Sequence, residues 1–320
     1  MKSHKNITIK IGISSCLLGI KVRFDGGHKK DDFVTGILNE FVRFIPVCPE
    51  LEVGMGVPRE SVRLEGAIEQ PFMISTKSGI DWTKRMNKYS SVRVNKNDIK
   101  SLSGFILKKK SPSCGMERVK VYNKKGMPTH LGVGLFAKSL LEKYPSLPIE
   151  EEGRLQDAKL RENFIIRIFA YNRLQKLYAQ RFDRNEFIKF HTVHKYLMLS
   201  HSPKHYKILG QMVAGINNYK PDEFRSNYLS VFMEGLKIKA TTKKHTNVLQ
   251  HILGFMKNQL TKYDKSSIIK SIDDYHNGLV PLIVPITLIK NYIYKYDIDY
   301  IKDQIYLSPH PKEMMLRNHV

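Results

Sequence analysis

The chain has 320 residues, 42% hydrophobic and 26% charged, enough to bury one or two cores and too apolar for a disordered protein. Its formal net charge is +23, with 26 Lys+Arg against 14 Asp+Glu in residues 1–150 and 27 against 16 in residues 151–320, so the excesses of +12 and +11 belong to the whole body and not to a tail. Such a field attracts polyanions, RNA first among them, although a generally lysine-rich surface would give the same number. The start MKSHK runs straight into the strand-like residues 7–13, which are too short and too polar for the apolar core of a secretory signal. The most apolar run, residues 279–289, is interrupted by Pro281 and Pro285 and falls short of the ~20 residues that a membrane span needs. A cytoplasmic location without membrane contact is expected.

Along the chain, residues 7–14 form a β-rich run that leads into Ser15 and Cys16. Residues 33–41 have helical character, and residues 44–47 form a second strand that ends in Cys48, Pro49 and Glu50. A helical stretch opens at 79–86. Residues 104–107 make a third strand, followed by Lys108, Lys109, Lys110 and the turn SPSCG at 111–115; residues 132–144 are a further helix. Apolar strands alternating with helices predict an α/β domain with a mostly parallel sheet. Residues 144–153, polar with two prolines, have the composition of a linker, which puts one domain at 1–146 and another at 147–320. Beyond it, residues 154–180, 185–200, 206–217, 222–235, 247–259 and 265–277 each space apolar side chains by three or four, with helix starts at Asp183, Ser202 and Pro221. That pattern predicts an all-α domain. No internal repeat or low-complexity tract is present.

The three cysteines, Cys16, Cys48 and Cys114, each follow an expected strand in a turn rich in Gly, Pro or Ser. Loops after the carboxyl ends of parallel strands meet on one sheet edge, where ligands bind, so three residues far apart in sequence can reach one point. Thiolates at one point invite a soft metal or an iron–sulfur cluster; three inert buried cysteines are the plain alternative. No C-x-x-C pair is present, and an odd count argues against a disulfide framework. Three protein ligands leave one metal position free, for zinc as for iron–sulfur, and spacing does not choose between them.

The stretches SSCLLG at 14–19, VRFDGGH at 22–28, CPE at 48–50, GMGVPRE at 54–60 and SPSCG at 111–115 resemble, in order, the thiouracil desulfidase (TudS) family, over about residues 7–143. FHTVHKYLMLSH at 190–201, Leu209-Gly210 and YLSPHPKEMMLRNH at 306–319 resemble the YbgA-like domain, and the fusion is similar to RudS-type enzymes. The resemblance implies a 4Fe-4S cluster held by Cys16, Cys48 and Cys114, with one iron left for the thiocarbonyl sulfur and Glu50 and Ser111 as the acid–base pair. The implied substrate is 4-thiouridine in tRNA, carried by the helical domain; no DNA is expected. Phe24 stands where the family commonly has tyrosine.

The residues allow the same chemistry on their own terms. A thiocarbonyl carbon is a poor electrophile until a Lewis acid binds its sulfur. Glu50, two residues past Cys48, is close enough to activate a water that attacks C4 of the ring. Ser111, three residues before Cys114, could relay a proton, with Ser113 as its rival. Other readings stay open: Glu50 as a first-turn carboxylate, Asp25 and His28 as parts of a Gly-Gly turn, Arg59 as an anion or carboxylate partner. Lys108 to Lys110 could meet phosphates or only solvent. His191, His194, His201 and His205 tempt a metal reading, but no thiol or paired carboxylate goes with them, and no metal is expected there. The competing functions are an RNA-binding protein with a three-cysteine structural zinc, and a desulfidase of free thiouracil only. Oligomeric state is not legible.

Overall fold

The structure, a computed structural model, describes residues 9–319. Ile7 and Thr8 of the expected first strand lie outside the described residues. The chain divides into two compact units that meet at Asp157 and Ala158.

In the first unit, β1 (Lys10–Ser14), β2 (Arg43–Val47), β3 (Val62–Gly66), β4 (Pro71–Ser75), β5 (Gly104–Leu107), β6 (Val119–Tyr122), β7 (Pro128–Gly132) and β8 (Ile149–Glu151) form two sheets. Around them run α1 (Asp32–Thr35), α2 (Pro49–Glu52), α3 (Thr83–Arg93), α4 (Asn97–Lys100) and α5 (Leu135–Lys143). One sheet has the order β2-β1-β5-β8 and is parallel throughout. Its central strands are apolar runs, KIGIS and GFIL, buried on both faces, as a covered parallel strand requires. Gly12 permits this packing, because a Cβ there would sit 2.3 Å from the Phe105 ring. The register pairs Ser14 with Val47 and Ile13 with Ile106. The chain therefore leaves β1, β2 and β5 on the same edge, with β1 between the other two. A strand whose neighbours lead away on opposite sides is where open α/β sheets bind ligands.

The second sheet, in the order β4-β3-β6-β7, is antiparallel at its two outer pairings and parallel between β3 and β6. Sequence reading misses it. VRLEG and PTHLG are short and carry charged or polar residues, and β7 is exposed except at Gly132.

One expectation is corrected. Part of the segment read as a linker is β8, fully buried and paired with β5 through Phe105↔Ile149 and Leu107↔Glu151. The acidic run misled because its carboxylates are internal partners. Glu150 Oε1 accepts from Arg154 Nε at 2.7 Å, Glu151 Oε1 from Met116 N at 2.8 Å and Glu152 Oε2 from Lys109 N at 2.8 Å. The division at Asp157 accordingly lies beyond the expected 146/147.

The second unit is helical: α6 (Ala158–Tyr178), α7 (Arg184–His201), α8 (Pro203–Ala214), α9 (Pro221–Lys237), α10 (Thr242–Met256), α11 (Lys262–His276), α12 (Ile283–Lys295) and α13 (Asp299–Lys302). The expected starts have physical caps. Asp183 accepts from Asn185 N and Glu186 N, Ser202 accepts from His205 N, and Pro203 and Pro221 open their helices. Phe187, Phe224, Tyr228 and Phe232 pack in the core at centroid spacings of 5.2–6.2 Å, Phe187 edge-on to Phe224 and Tyr228, and Tyr228 stacked between Phe224 and Phe232. The apolar run at 279–289 enters α12, which tolerates Pro285 in its first turn. Among the described residues no helix is long and apolar enough to cross a membrane.

Candidate active site

Each cysteine is placed by a strand end. Cys16 is the second residue of a 3-10 turn (Ser15–Leu18) directly after β1, closed by Gly19 at φ 87°. Cys48 is the N-cap of α2 directly after β2, and Glu52 reaches back to accept from Cys48 N at 3.0 Å. Cys114 lies in the turn after β5. There Ser111 Oγ accepts from Ser113 N at 3.3 Å and from Cys114 N at 3.1 Å. The Ser113 carbonyl in turn accepts from Phe136 N and Ala137 N at 3.0 and 3.1 Å, seating the turn on the start of α5. Gly134 makes this possible: a Cβ would lie 2.6 Å from the Ser113 carbonyl and 2.9 Å from Cys114 N.

All three cysteines line one cavity of about 370 Å³, together with Glu50, Arg59, Ser111 and Ser113. Burial pushes Cys16 up to about 11 and Cys114 up to about 12, and raises Cys48 as well; the neighbouring Cys48 adds to the shift of both others. The thiols are thus close enough to feel one another's charge, and the bare pocket favours their neutral form. Among the described residues no group of three or more His, Cys, Asp or Glu side chains is placed to hold a single metal ion.

Among the described residues Glu50 is the one acidic member of the cavity lining. Its Oε2 accepts from Arg59 Nη2 at 2.5 Å, with side-chain exposures of 14% and 6%. Arg59 is itself anchored, donating from Nη1 to the carbonyls of Val22 at 3.1 Å and Gly56 at 2.9 Å. Glu50 Oε1 accepts from Ser113 Oγ at 2.7 Å, and Ser113 Oγ lies 3.0 Å from Ser111 Oγ. Two backbone N–H groups already occupy Ser111 as an acceptor, so its hydroxyl proton is available to donate. The result is a directed chain from Ser111 through Ser113 to Glu50. Ser113, the rival in the sequence, is therefore the member in contact with Glu50, whereas Ser111 sits one hydrogen bond farther away. A serine flanked by a proline and a ligand-like cysteine was the only sequence signal for it.

The remaining readings separate cleanly. Arg23, Lys29 and Lys108 to Lys110 line the cavity; Lys108 is ion-paired with Glu152. Asp25 and His28 do not line it. Asp25 accepts from Gly27 N at 3.0 Å and His28 Nδ1 from Lys30 N at 3.2 Å, the turn reading. In the helical unit the four histidines bond separately: His191 to Tyr228 Oη at 3.2 Å, His194 to the Phe190 carbonyl at 2.7 Å, His201 to the Ile238 carbonyl at 2.7 Å and His205 to Ser202 Oγ at 2.8 Å.

Comparison with known proteins divides at the same place as the fold. Residues 11–152 match the family model described as 2-thiouracil desulfurase, and residues 195–311 match a protein family of unknown function, DUF1722. The uncharacterised protein YbgA of Escherichia coli (strain K12) is 29% identical over 158 residues, 49% of this chain and 94% of its own length. The uncharacterised protein YbbK of Bacillus subtilis (strain 168) is 32% identical over 108 residues, 32% of this chain and 71% of its own. A solved structure of the 4Fe-4S-dependent thiouracil desulfidase TudS is 28% identical and covers 46% of this chain and 93% of its own, with a TM-score of 0.37. The chain belongs to the 2-thiouracil desulfurase family through the unit that builds the cysteine cavity, and it joins to that unit a YbgA-like domain of the DUF1722 type.

Proposed function

We propose that this chain removes sulfur from a thiolated uracil, with 4-thiouridine in tRNA as substrate, replacing C=S by C=O with water as the oxygen source. The observation that carries this reading is a single one: cysteines from three strand ends line one cavity with a carboxylate that is hydrogen-bonded to a serine pair. The residues fit a 4Fe-4S cluster held by Cys16, Cys48 and Cys114. The three cysteines line one cavity of about 370 Å³, room enough for a group of several atoms. Thiols kept neutral by burial need a strongly cationic centre before they become ligands. When bound, the cluster supplies a Lewis-acidic iron to the thiocarbonyl sulfur.

The chain's own groups then handle the water. Each oxygen of the Glu50 carboxylate has one lone-pair direction taken, by Ser113 and by Arg59, and keeps another for a water proton. Arg59, tied to two carbonyls, fixes where that carboxylate sits. The water oxygen bonds to the ring carbon as its proton passes to Glu50. The C–S bond breaks as the new hydroxyl on the ring carbon gives up its proton, and the departing sulfur takes that proton together with the one held by Glu50, the latter through Ser113 once its hydroxyl has turned, leaving as hydrogen sulfide. Atoms balance as C=S plus water to C=O plus hydrogen sulfide, and no electrons are transferred. The cations on the cavity wall suit a nucleotide's phosphates beside the ring. A base packed in tRNA must be turned out at a cost of a few kcal/mol, which the basic chain can offset by holding the surrounding backbone.

The test is turnover of thiolated tRNA by anaerobically reconstituted protein, followed by nucleoside analysis. Loss of 4-thiouridine with an equal gain of uridine is expected. Cluster-loaded protein that leaves 4-thiouridine intact in tRNA while it desulfurises free thiouracil would remove the tRNA part. Inactivity on both would remove the reading.

A further inference from the structure

We propose that the helical unit carries a second binding site, a pocket for a phosphomonoester whose phosphate group sits against Arg317 and the N-terminus of α10. A cavity of about 270 Å³ opens there, lined among others by Lys159, His201, Lys239, Thr242 and Arg317. The two motifs that single out this unit in the sequence, FHTVHKYLMLSH at 190–201 and YLSPHPKEMMLRNH at 306–319, bring His201 and Arg317 to its wall.

Two of the lining residues, Arg317 and His201, each hold a buried polar atom that lacks a partner among the described residues. Arg317 is 5% exposed; its Nε donates to Glu162 Oε1 at 2.8 Å and its Nη1 to the Tyr306 carbonyl at 2.7 Å, but its Nη2 has no acceptor. His201 is 1% exposed, and its Nδ1 lies 2.7 Å from the Ile238 carbonyl, so that nitrogen is the donor. Its Nε2 is then a lone pair, and it too is unpartnered. A buried donor or acceptor left unmatched is costly, so a ligand group that reached both atoms by a small shift of the wall would be rewarded twice.

The chemistry of that group follows from the pair. Arg317 asks for an anionic oxygen, and His201 asks for a proton donor. A phosphomonoester monoanion offers both, P–O⁻ to Arg317 and P–OH to His201. Sulfate and a phosphodiester have no such proton at neutral pH. The N-terminus of α10, a helix of 15 residues with no acidic residue in its first turn, adds orphan N–H groups next to Thr242. The charged groups of the lining are Lys159, Lys239, Arg317 and one carboxylate, Glu162, so the wall is net cationic. The volume exceeds what a lone tetrahedral anion fills, and Ile166, Tyr275 and Leu282 line the rest. Thr241 and Thr242 beside them offer hydroxyl partners, so a sugar fits the remaining room.

Calorimetric titration of the full chain with ribose 5-phosphate, inorganic phosphate, sulfate and ribose tests the proposal. Ribose 5-phosphate has no base, so the outcome is independent of the desulfidation reading. Ribose 5-phosphate and phosphate should bind, the former more tightly, sulfate at least about tenfold more weakly, and ribose not at all. Arg317→Lys should weaken ribose 5-phosphate about tenfold or more. Because Arg317 is buried, a second variant keeps the test clean: Lys159→Glu with Lys239→Glu changes two exposed residues and should weaken binding at an unchanged melting temperature. Equal affinity for sulfate and phosphate would overturn the phosphomonoester assignment. Unchanged binding by the double variant, or no binding by the unaltered chain, would overturn the site.

Discussion

In the α/β unit the two described histidines, His28 and His130, are exposed, and the ionisable groups that matter line a cavity in a connected set of hydrogen bonds. In the helical unit His194, His201, His245 and His310 are buried, and burial keeps them neutral at ordinary pH. The histidine-rich motif therefore belongs to the core of one unit, while a few cysteines, one glutamate and two serines line one cavity in the other. Richness in metal-ligating residue types says little by itself. What counts is whether the groups share a cavity and whether their hydrogen bonds leave a lone pair or a proton for a substrate.

The largest expected effect sharpens that contrast within the cavity. Glu50→Gln should keep the cluster's absorbance and lower kcat about 10²- to 10⁴-fold, as for loss of a general base, because the amide oxygen still accepts from Ser113 or Arg59 but takes no proton from water. Ser113→Ala removes only a relay bond and should cost about tenfold. Turnover of both variants at matched iron content decides. A Ser113 effect as large as that of Glu50 would make the serine, not the carboxylate, the central group.

The next effect separates the two units. Burial lowers His191, His201 and His310 to about 4 and His194 to about 3, against about 6.5 in an unfolded chain. The unfolded chain binds these protons more readily, so the stability they contribute is complete above about pH 6.5 and is lost as pH falls towards 4. Each costs about 1.4 kcal/mol per pH unit across that window. The one tryptophan, Trp82, lies in the α/β unit and reports that unit alone, while circular dichroism reports mostly the helices. At about pH 5 the urea midpoint by circular dichroism should fall well below the one by Trp82 fluorescence. Midpoints that stay together from neutral to acid pH would break the comparison.

The smallest expected effect is a backbone one. Gly134→Ala puts a methyl group against the turn that carries Ser113 and Cys114 and should lower stability by about 1–3 kcal/mol, with poorer iron retention. A melting curve and an iron assay check both. Unchanged values would show that the turn can move away from α5 at no cost.

Much of the α/β unit was legible because its central strands are continuous apolar runs that end in recognisable turns, and the helical unit because its caps and three-to-four spacing are local. The second sheet was not, since VRLEG and PTHLG gain their strand form from neighbours and not from their own composition. Nor was the acidic segment at 150–152, which looks like a solvated connection until Lys108, Met116 and Arg154 are seen to be its partners.

Sequence alone determined the element types, the two-part organisation and the residues worth watching: three cysteines after three strands, Glu50 beside one and a serine pair beside another. These are local properties, set by hydrophobic period, turn chemistry and spacing along the chain. Only the tertiary structure decided that the cysteines share a cavity, that Ser113 and not Ser111 touches Glu50, that Arg59 is its ion partner, and that His201 and Arg317 line the same second pocket. Those facts depend on which strand lies beside which and on where a side chain's hydrogen bonds end, and neither is encoded within any one segment.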